Sequence, residues 1–431
     1  MARWLVVAAA ANALTVDEIG VCFVRNYVHY DASRGDHGLR LAEFYDLQAV
    51  AMTLRRLPLS PRTCLFTEAP ANAVAAAMVA LGTPERDAPK LFDVVLEPSK
   101  PPFGGLGGRW PAIAAALGRL GAINASHGID KGTRLLSRLS RLHDYARAPF
   151  EVTLFADDDA AFCPSTQFLG RVAALSGGAD APDVRIAEYD LAASDAGTAA
   201  RHAGRLRRLA ACAAARGTPG DGLGDAAWCW DHVPAGATAC PTFAFASDAG
   251  LQAGVVVARN TSGARRFFGD WVDAYVDMWL PHLAKRDGDL RAVARVGSDQ
   301  EPLWAIVKRR CLEGDEKGNW TLAALPPEFN ARFLRPGRAA ALDDDVLIVH
   351  DNAVGHYGGR GRHFDLRRWD VAALLGRVES VCAAANGRRD LRIVANFSGW
   401  AFGEPVAATV ARVRAPKRPK RAWPWPLSLL F

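Results

Sequence analysis

The chain has 431 residues, 50% of them hydrophobic and 23% charged, which is the balance of a folded globular protein of one large domain or two ordinary ones. Gly (39) and Pro (25) are near average usage, excluding collagen-like repeats and low-complexity disorder, and no apolar run reaches the ~18 residues that a membrane-spanning helix needs. The net charge of +6 is mild and the arginines are spread along the whole chain, so charge alone does not choose among small anions, membrane surfaces and nucleic acid.

At the N-terminus Arg3 precedes the apolar stretch Trp4–Ala11, and Ala11-Asn12-Ala13 has the small-x-small form of a cleavage site. Residues 1–18 therefore read as a signal peptide or weak signal anchor, with a first buried strand as the alternative. Four of the ten asparagines (Asn124, Asn260, Asn319, Asn396) lie in N-x-S/T, where about one is expected by chance. The excess points to the secretory pathway, in the Golgi or ER lumen, and to a glycoprotein. The eight cysteines are scattered without a CxxC or zinc-finger spacing. Cys212, Cys229 and Cys240 fall close enough together to form a disulfide, with buried free thiols as the alternative.

Apolar runs alternating with helical patterns predict an α/β domain over 19–385. In chain order the expected elements are a strand at Val21–Val24, a helix in Leu39–Leu57, a strand at Thr63–Thr67, an Ala-rich helix at Ala71–Leu81 and a strand at Leu91–Leu96. The run Pro101–Gly108 reads as a loop whose glycines match no phosphate-binding spacing. Lys131–Tyr145 is a helix carrying Arg134, Arg138 and Arg141 on a leucine framework, and Val152–Phe155 is a strand. Residues 177–241, rich in Ala, Gly, Asp and Arg, read as an insertion or loop region. A strand at Leu251–Ala258 and a helix at Ala264–Leu280, with Phe267, Phe268, Trp271, Tyr275 and Trp279 inward, follow. Val346–His350 is a late strand and Asp370–Ala384 a helix, with a last strand at Leu391–Val394. The extension 386–431 ends in a tail with PKRPKR beside Trp423 and Trp425; this can touch a membrane interface peripherally but carries no nucleic-acid module.

The chemistry concentrates at Asp157-Asp158-Asp159, directly after an apolar strand. Along an extended chain Asp157 and Asp159 share one side and Asp158 faces the other. Carboxylates converging where a strand ends can hold a hard divalent cation whose remaining ligands are water and phosphate oxygens. The carboxyl edge of an α/β sheet is also where ligands dock. A second triplet, Asp343-Asp344-Asp345, precedes its strand and reads as a solvated turn at the opposite edge.

The segment Glu151–Cys163 (EVTLFADDDAAFC), after Ala148-Pro149-Phe150, resembles the DxD segment of GT-A glycosyltransferases, in particular nucleotide-diphospho-sugar transferases related to the glycogenin-like retaining group. Further short matches follow in the family's order: Leu65-Phe66-Thr67 as its second strand, Leu251–Val257 as its NAGVLL-like strand with Gln252 for the usual Asn, Asp299-Gln300 in GSDQEPLW, Ala324–Asn330 (ALPPEFN), and Val346–His350. The resemblance spans about Val21 to Gly359 and implies a GT-A fold: a Rossmann-like mixed sheet with helices on both faces, in a single large domain with insertions. It further implies Mn²⁺ (or Mg²⁺) held by Asp157, Asp159 and His350, with His356 as a second imidazole candidate. Transfer would run from a nucleotide-sugar donor, a UDP-sugar, to a glycan, protein or small-molecule acceptor with retention. Asp299 and Gln300 are the expected catalytic residues; Arg141, Asp158, Gln252, Gly254, Tyr27 and Thr67 are the expected donor-binding ones. One departure stands out: Gly355-His356-Tyr357 follows where the family carries the lysine that contacts the diphosphate. Two other classes share the strand-then-DxD pattern: a magnesium-dependent phosphohydrolase of the haloacid dehalogenase type, in which Ala161 stands where Thr or Val is wanted, and a non-catalytic nucleotide-sugar-binding relative.

Overall fold

The computed structural model describes residues 14–26, 41, 44–127, 131–158, 160–190, 249–285, 299–312, 319–330, 346–350 and eight positions between 370 and 386. Its strands are β1 (Ile19–Val24), β2 (Arg62–Phe66), β3 (Val94–Leu96), β4 (Val152–Ala156), β5 (Ala160–Phe162), β6 (Val184–Asp190), β7 (Ala249–Arg259), β8 (Leu322–Leu325) and β9 (Ile348–His350). The helices are α1 (Tyr45–Arg55), α2 (Ala71–Ala80), α3 (Trp110–His127), α4 (Lys131–Tyr145), α5 (Phe168–Ser176), α6 (Ser262–Lys285) and α7 (Gln300–Leu312).

Seven strands form one sheet in the order β3-β2-β1-β4-β7-β6-β8. The β3-β2-β1-β4 half is parallel, and β7 runs antiparallel to both β4 and β6. A short antiparallel pair, β5 with β9, stands apart. Helices cover both faces, as alternation along the central strands requires. Val21, Phe23, Leu154 and Val257 point into one core with α1, α2 and α5. Cys22, Phe155 and Val256 point into the other, against α3, α4, α6 and α7. The doubly covered mixed α/β sheet expected from the sequence is therefore present.

The second core is held by aromatics of α6: Phe267, Phe268, Trp271, Tyr275 and Trp279 are all buried, as their helical spacing predicts. One close approach fixes the first strand. A Cβ at Gly20 would lie 1.9 Å from the Phe150 ring, so glycine is what lets that ring pack against β1.

Several differences from the sequence expectation are local. Residues 177–241 do not open as an insertion: 184–190 form β6, an inner strand whose buried Val184 and Ile186 alternate with Arg185. Its period-two signal was diluted by the Ala- and Asp-rich residues around it. Residues 191–248, with Cys212, Cys229 and Cys240, lie outside the described residues, as do 1–13, Asp343–Asp345, Leu391–Val394 and the tail. The Pro101–Gly108 loop is anchored through buried Phe103 and Leu106. Disulfides join Cys22 to Cys64, directly opposed in β1 and β2, and Cys163 to Cys382, tying β5 to the helical C-terminal positions. Among the described residues no helix is long and apolar enough to cross a membrane.

Candidate active site

The parallel strands β1, β2 and β4 all end at one edge, so the residues that follow them lie together. Arg25 and Asn26 follow β1, Thr67 and Glu68 follow β2, and the acidic turn follows β4. The turn is fixed by its backbone. Asp157 N–H donates to the Gly254 carbonyl at 2.8 Å, and Ala160 N–H donates to the Asp157 carbonyl at 3.2 Å. The chain then enters β5. On the facing strand β7 the pairing with β6 jumps from Ile186↔Val256 to Ala187↔Gln252. Bulges of this kind re-aim residues beside functional sites, and this one lies at Gly254, against the acidic turn.

Side chains converge here from four distant segments. Arg141 of α4 donates from Nη1 to Asp157 Oδ1 at 2.7 Å and from Nη2 to Asp299 Oδ2. Asp299 stands at the head of α7, its carboxylate engaged by Arg141. Its carbonyl accepts from Leu303 N–H at 3.3 Å and from the buried Trp271 Nε1–H at 2.8 Å. Gln300 donates from Nε2 to Gln252 Oε1 at 3.3 Å, and the same oxygen accepts the Gly254 N–H at 2.6 Å. Asp158 Oδ2 accepts from Arg25 Nη1 at 2.5 Å.

The electrostatics follow from burial. The Asp299 side chain is 6% exposed, against 20% for Arg141 and 29% for Asp157. Burial alone would push the Asp299 pKa up, but the charges of Arg141 and Arg138 and the Arg141 hydrogen bond outweigh it and hold the carboxyl below its ordinary range. Burial likewise opposes the Arg141 charge, and Asp299, Tyr145 and Asp157 overcome it, so the guanidinium pKa stands well above its usual value. On the same helix burial lifts Asp144 to about 6, despite hydrogen bonds from Ser99 and Ser140 and the charge of Arg147. Burial also takes His143 down to about 4, so that it packs neutral against the Phe103 ring.

Of the expected residues, Asp157, Asp158, Arg141, Gln252, Gly254, Asp299 and Gln300 meet at this edge. Thr67 is at the same edge but buried, its hydroxyl accepting the Ala69 N–H at 3.4 Å. Tyr27, Asp159 and His356 lie outside the described residues. The backbone of His350 is placed: it pairs with Ala160 across β5 and β9, one residue from Asp159. Opposed residues of an antiparallel pair have Cα atoms ~5 Å apart, so the late strand returns to the acidic turn. Among the described residues no group of three or more His, Cys, Asp or Glu side chains is assembled for a metal. The chemistry of the expected donor set, carboxylates with an imidazole, suits a divalent ion of the Mn²⁺ class, and the Asp157 side chain is 29% exposed at this edge. Arg25 and Trp271 are the participants that sequence reasoning missed.

No protein-family model and no curated protein matches the chain. Among solved structures it is similar to a galactosyltransferase, LgtC, in complex with donor and acceptor sugar analogs: TM-score 0.38, 12% identity, covering 84% of this chain and 95% of that one. It is similar also to the glycosyltransferase GlyE of Streptococcus pneumoniae TIGR4 (TM-score 0.36, 12% identity, 83% of this chain), of which the match spans 63%. A third is mouse xyloside xylosyltransferase 1 in its apo form (TM-score 0.36, 10% identity, 77% and 97%).

Proposed function

We propose that the chain is a metal-dependent glycosyltransferase of the GT-A type that moves a sugar from a nucleotide-diphospho-sugar, a UDP-sugar, to a hydroxyl acceptor with retention of configuration. The observation that carries this reading is the meeting of Asp157, Arg141, Gln252, Asp299 and Gln300 at one carboxyl edge of the sheet. All but Arg141 lie in the segments on which the sequence resemblance rests, and up to 159 residues separate the five.

Asp157, Asp159 and His350 would hold the divalent ion, which supplies charge neutralisation to the departing diphosphate. Arg141 orients Asp157 and Asp299 and offers a guanidinium matched to phosphate. Asp299, with its lowered pKa, is a fixed anion at neutral pH and a poor proton acceptor. Its role is therefore electrostatic stabilisation of positive charge on the transferring sugar rather than general base catalysis. Gln300, bonded to Gln252, presents its carboxamide next to that carboxylate. The two disulfides and the excess of N-x-S/T sites support a lumenal, oxidising compartment.

The test is a panel of nucleotide sugars with Mn²⁺, on the native chain and on the Asp157→Ala, Asp159→Ala double variant. Metal-dependent release of the nucleoside diphosphate by the native chain, and its loss in a folded double variant, are expected. Unchanged turnover in the variant overturns the assignment. Phosphate release from phosphomonoesters without any acceptor identifies a phosphohydrolase instead, and binding without turnover a non-catalytic relative.

A further inference from the structure

The acidic turn is gripped from two sides by guanidinium groups, and only Arg141 is used by the function above. Arg25 is the other. It occupies the first position after β1, and its N–H donates to the Phe66 carbonyl at 2.9 Å, which pins it to the seam between β1 and β2. The next residue is pinned as well: Asn26 Nδ2 donates to the Ser137 carbonyl of α4 at 2.9 Å, and the Ser137 hydroxyl donates back to Asn26 Oδ1. The Arg25 guanidinium is therefore launched from a rigid base. Its Nη1 holds Asp158 Oδ2, and the two side chains are 31% and 29% exposed.

An ion pair this open contributes little to stability, ~0–1 kcal/mol, so stability does not explain why an arginine stands there. Electrostatics does. A diphosphate approaching three consecutive aspartates meets like charge, and each carboxylate needs a cation before the anion can settle. A guanidinium carries five N–H donors in a rigid fork, and among the described residues Asp158 is the side-chain partner of only one of its nitrogens.

We infer that Arg25 is a phosphate-binding residue of the donor site, a second guanidinium on the diphosphate beside Arg141, with Asp158 as the carboxylate that keeps it in place until the donor arrives. This rests on the glycosyltransferase reading and adds a residue to it. It also supplies a cationic group where the chain lacks the lysine expected after its late strand. The chemistry recognised is the diphosphate of a nucleoside diphosphate, not its base.

The experiment is calorimetric titration of UDP and of uridine, in buffer with Mn²⁺, into the native full-length chain and into Arg25→Ala, Arg25→Lys and Asp158→Asn. The expected result is at least a tenfold loss of UDP affinity in R25A with uridine affinity kept within twofold, a smaller UDP loss in R25K, and a loss in D158N at least threefold less than in R25A. Equal weakening of UDP and uridine in R25A, an unchanged UDP affinity, or a D158N loss equal to that of R25A overturns the inference; the last outcome makes Arg25 a support for Asp158 alone. A native chain that does not bind UDP overturns the UDP-sugar donor reading itself. A native chain that binds UDP, with an unaffected R25A, overturns only the role of Arg25.

Discussion

Replacing Arg141 by Met keeps much of the side-chain volume and removes the charge shared by Asp157 and Asp299. The consequence is set by Asp299, whose side chain is 6% exposed and would lose its hydrogen-bonded countercharge, keeping only the field of Arg138. Removing one partner of a buried pair costs about 3–5 kcal/mol, and this pair qualifies because Arg141 itself is only 20% exposed. The pH dependence makes the cause identifiable. In the native chain the Asp299 pKa is lowered on folding, so its stabilisation is present above the unfolded carboxyl pKa of ~3.9 and is lost as pH falls through the lower folded value. In Arg141→Met burial is opposed only by the Arg138 charge and a backbone hydrogen bond, and the folded pKa rises above the unfolded one. The penalty is then fully present at neutral pH and fades as Asp299 takes up its proton. Urea denaturation of both proteins from pH 7 to pH 4 should show a gap of about 3–5 kcal/mol that narrows on acidification, with Arg141→Lys in between. A gap below ~1 kcal/mol, or one that stays constant across that range, refutes the idea that Arg141 compensates a buried Asp299.

Asp144, fully buried and lifted to about 6, works in the opposite direction. A carboxyl whose folded pKa exceeds the unfolded one leaves stability intact below ~4 and costs it progressively up to the folded value, so Asp144→Asn should flatten the pH-stability profile between ~4 and ~6 as read by chemical denaturation. Gly20→Ala places a Cβ against the Phe150 ring and should cost about 1–3 kcal/mol by overpacking, measured as a lower urea midpoint, with the loss relieved by a smaller residue at 150. Cys163→Ser with Cys382→Ser opens a bridge between residues 219 apart and should lower stability by about 2–5 kcal/mol, with early protease cleavage near the C-terminal helical positions; protease resistance equal to the native chain contradicts it.

What could be read from the residues divides along a physical line. Strands β1, β2, β4 and β7 and helices α4 and α6 were legible because each buries one face or both against a core, and burial writes an apolar period into the sequence. Strand β6 carries the same signal, Val184 and Ile186 inward with Arg185 between, but seven residues amid Ala, Gly and Asp left it unclaimed. β5 has three residues and no period to read. α3 escaped although Pro111 stands just inside its start, where proline is favoured. At the site, Asp157 and Asp299 were found through short motifs in a fixed order, and Arg141 as a basic residue of the helix that precedes the acidic segment. Arg25 was not, because an arginine after a strand is ordinary and its meaning lies in the neighbour strand β4, 133 residues on in Asp158. The same holds for Cys22 and Cys64: only the parallel register of β1 on β2 makes them partners.

The site is best understood as a balance of fixed charges. Three carboxylates described at this edge, Asp157, Asp158 and Asp299, face two guanidinium groups, Arg25 and Arg141, with Arg138 adding to the field at Asp299. Each arginine comes from an element that cannot move independently: Arg25 from the end of a central strand, Arg141 from a helix whose Leu135, Leu139 and Leu142 are buried in the second core. The carboxylates are equally fixed, Asp157 by its backbone bond to Gly254 and Asp299 by the Trp271 bond to its carbonyl. Fixed charges of both signs need little reorganisation when a charged ligand binds, which is what makes a site effective at stabilising charge that develops during reaction. On this reasoning Trp271→Phe, which removes one hydrogen bond and leaves the aromatic packing, should loosen the head of α7 and slow turnover of a bound donor more than it weakens donor binding. Equal effects on the two would place Trp271 in the core alone.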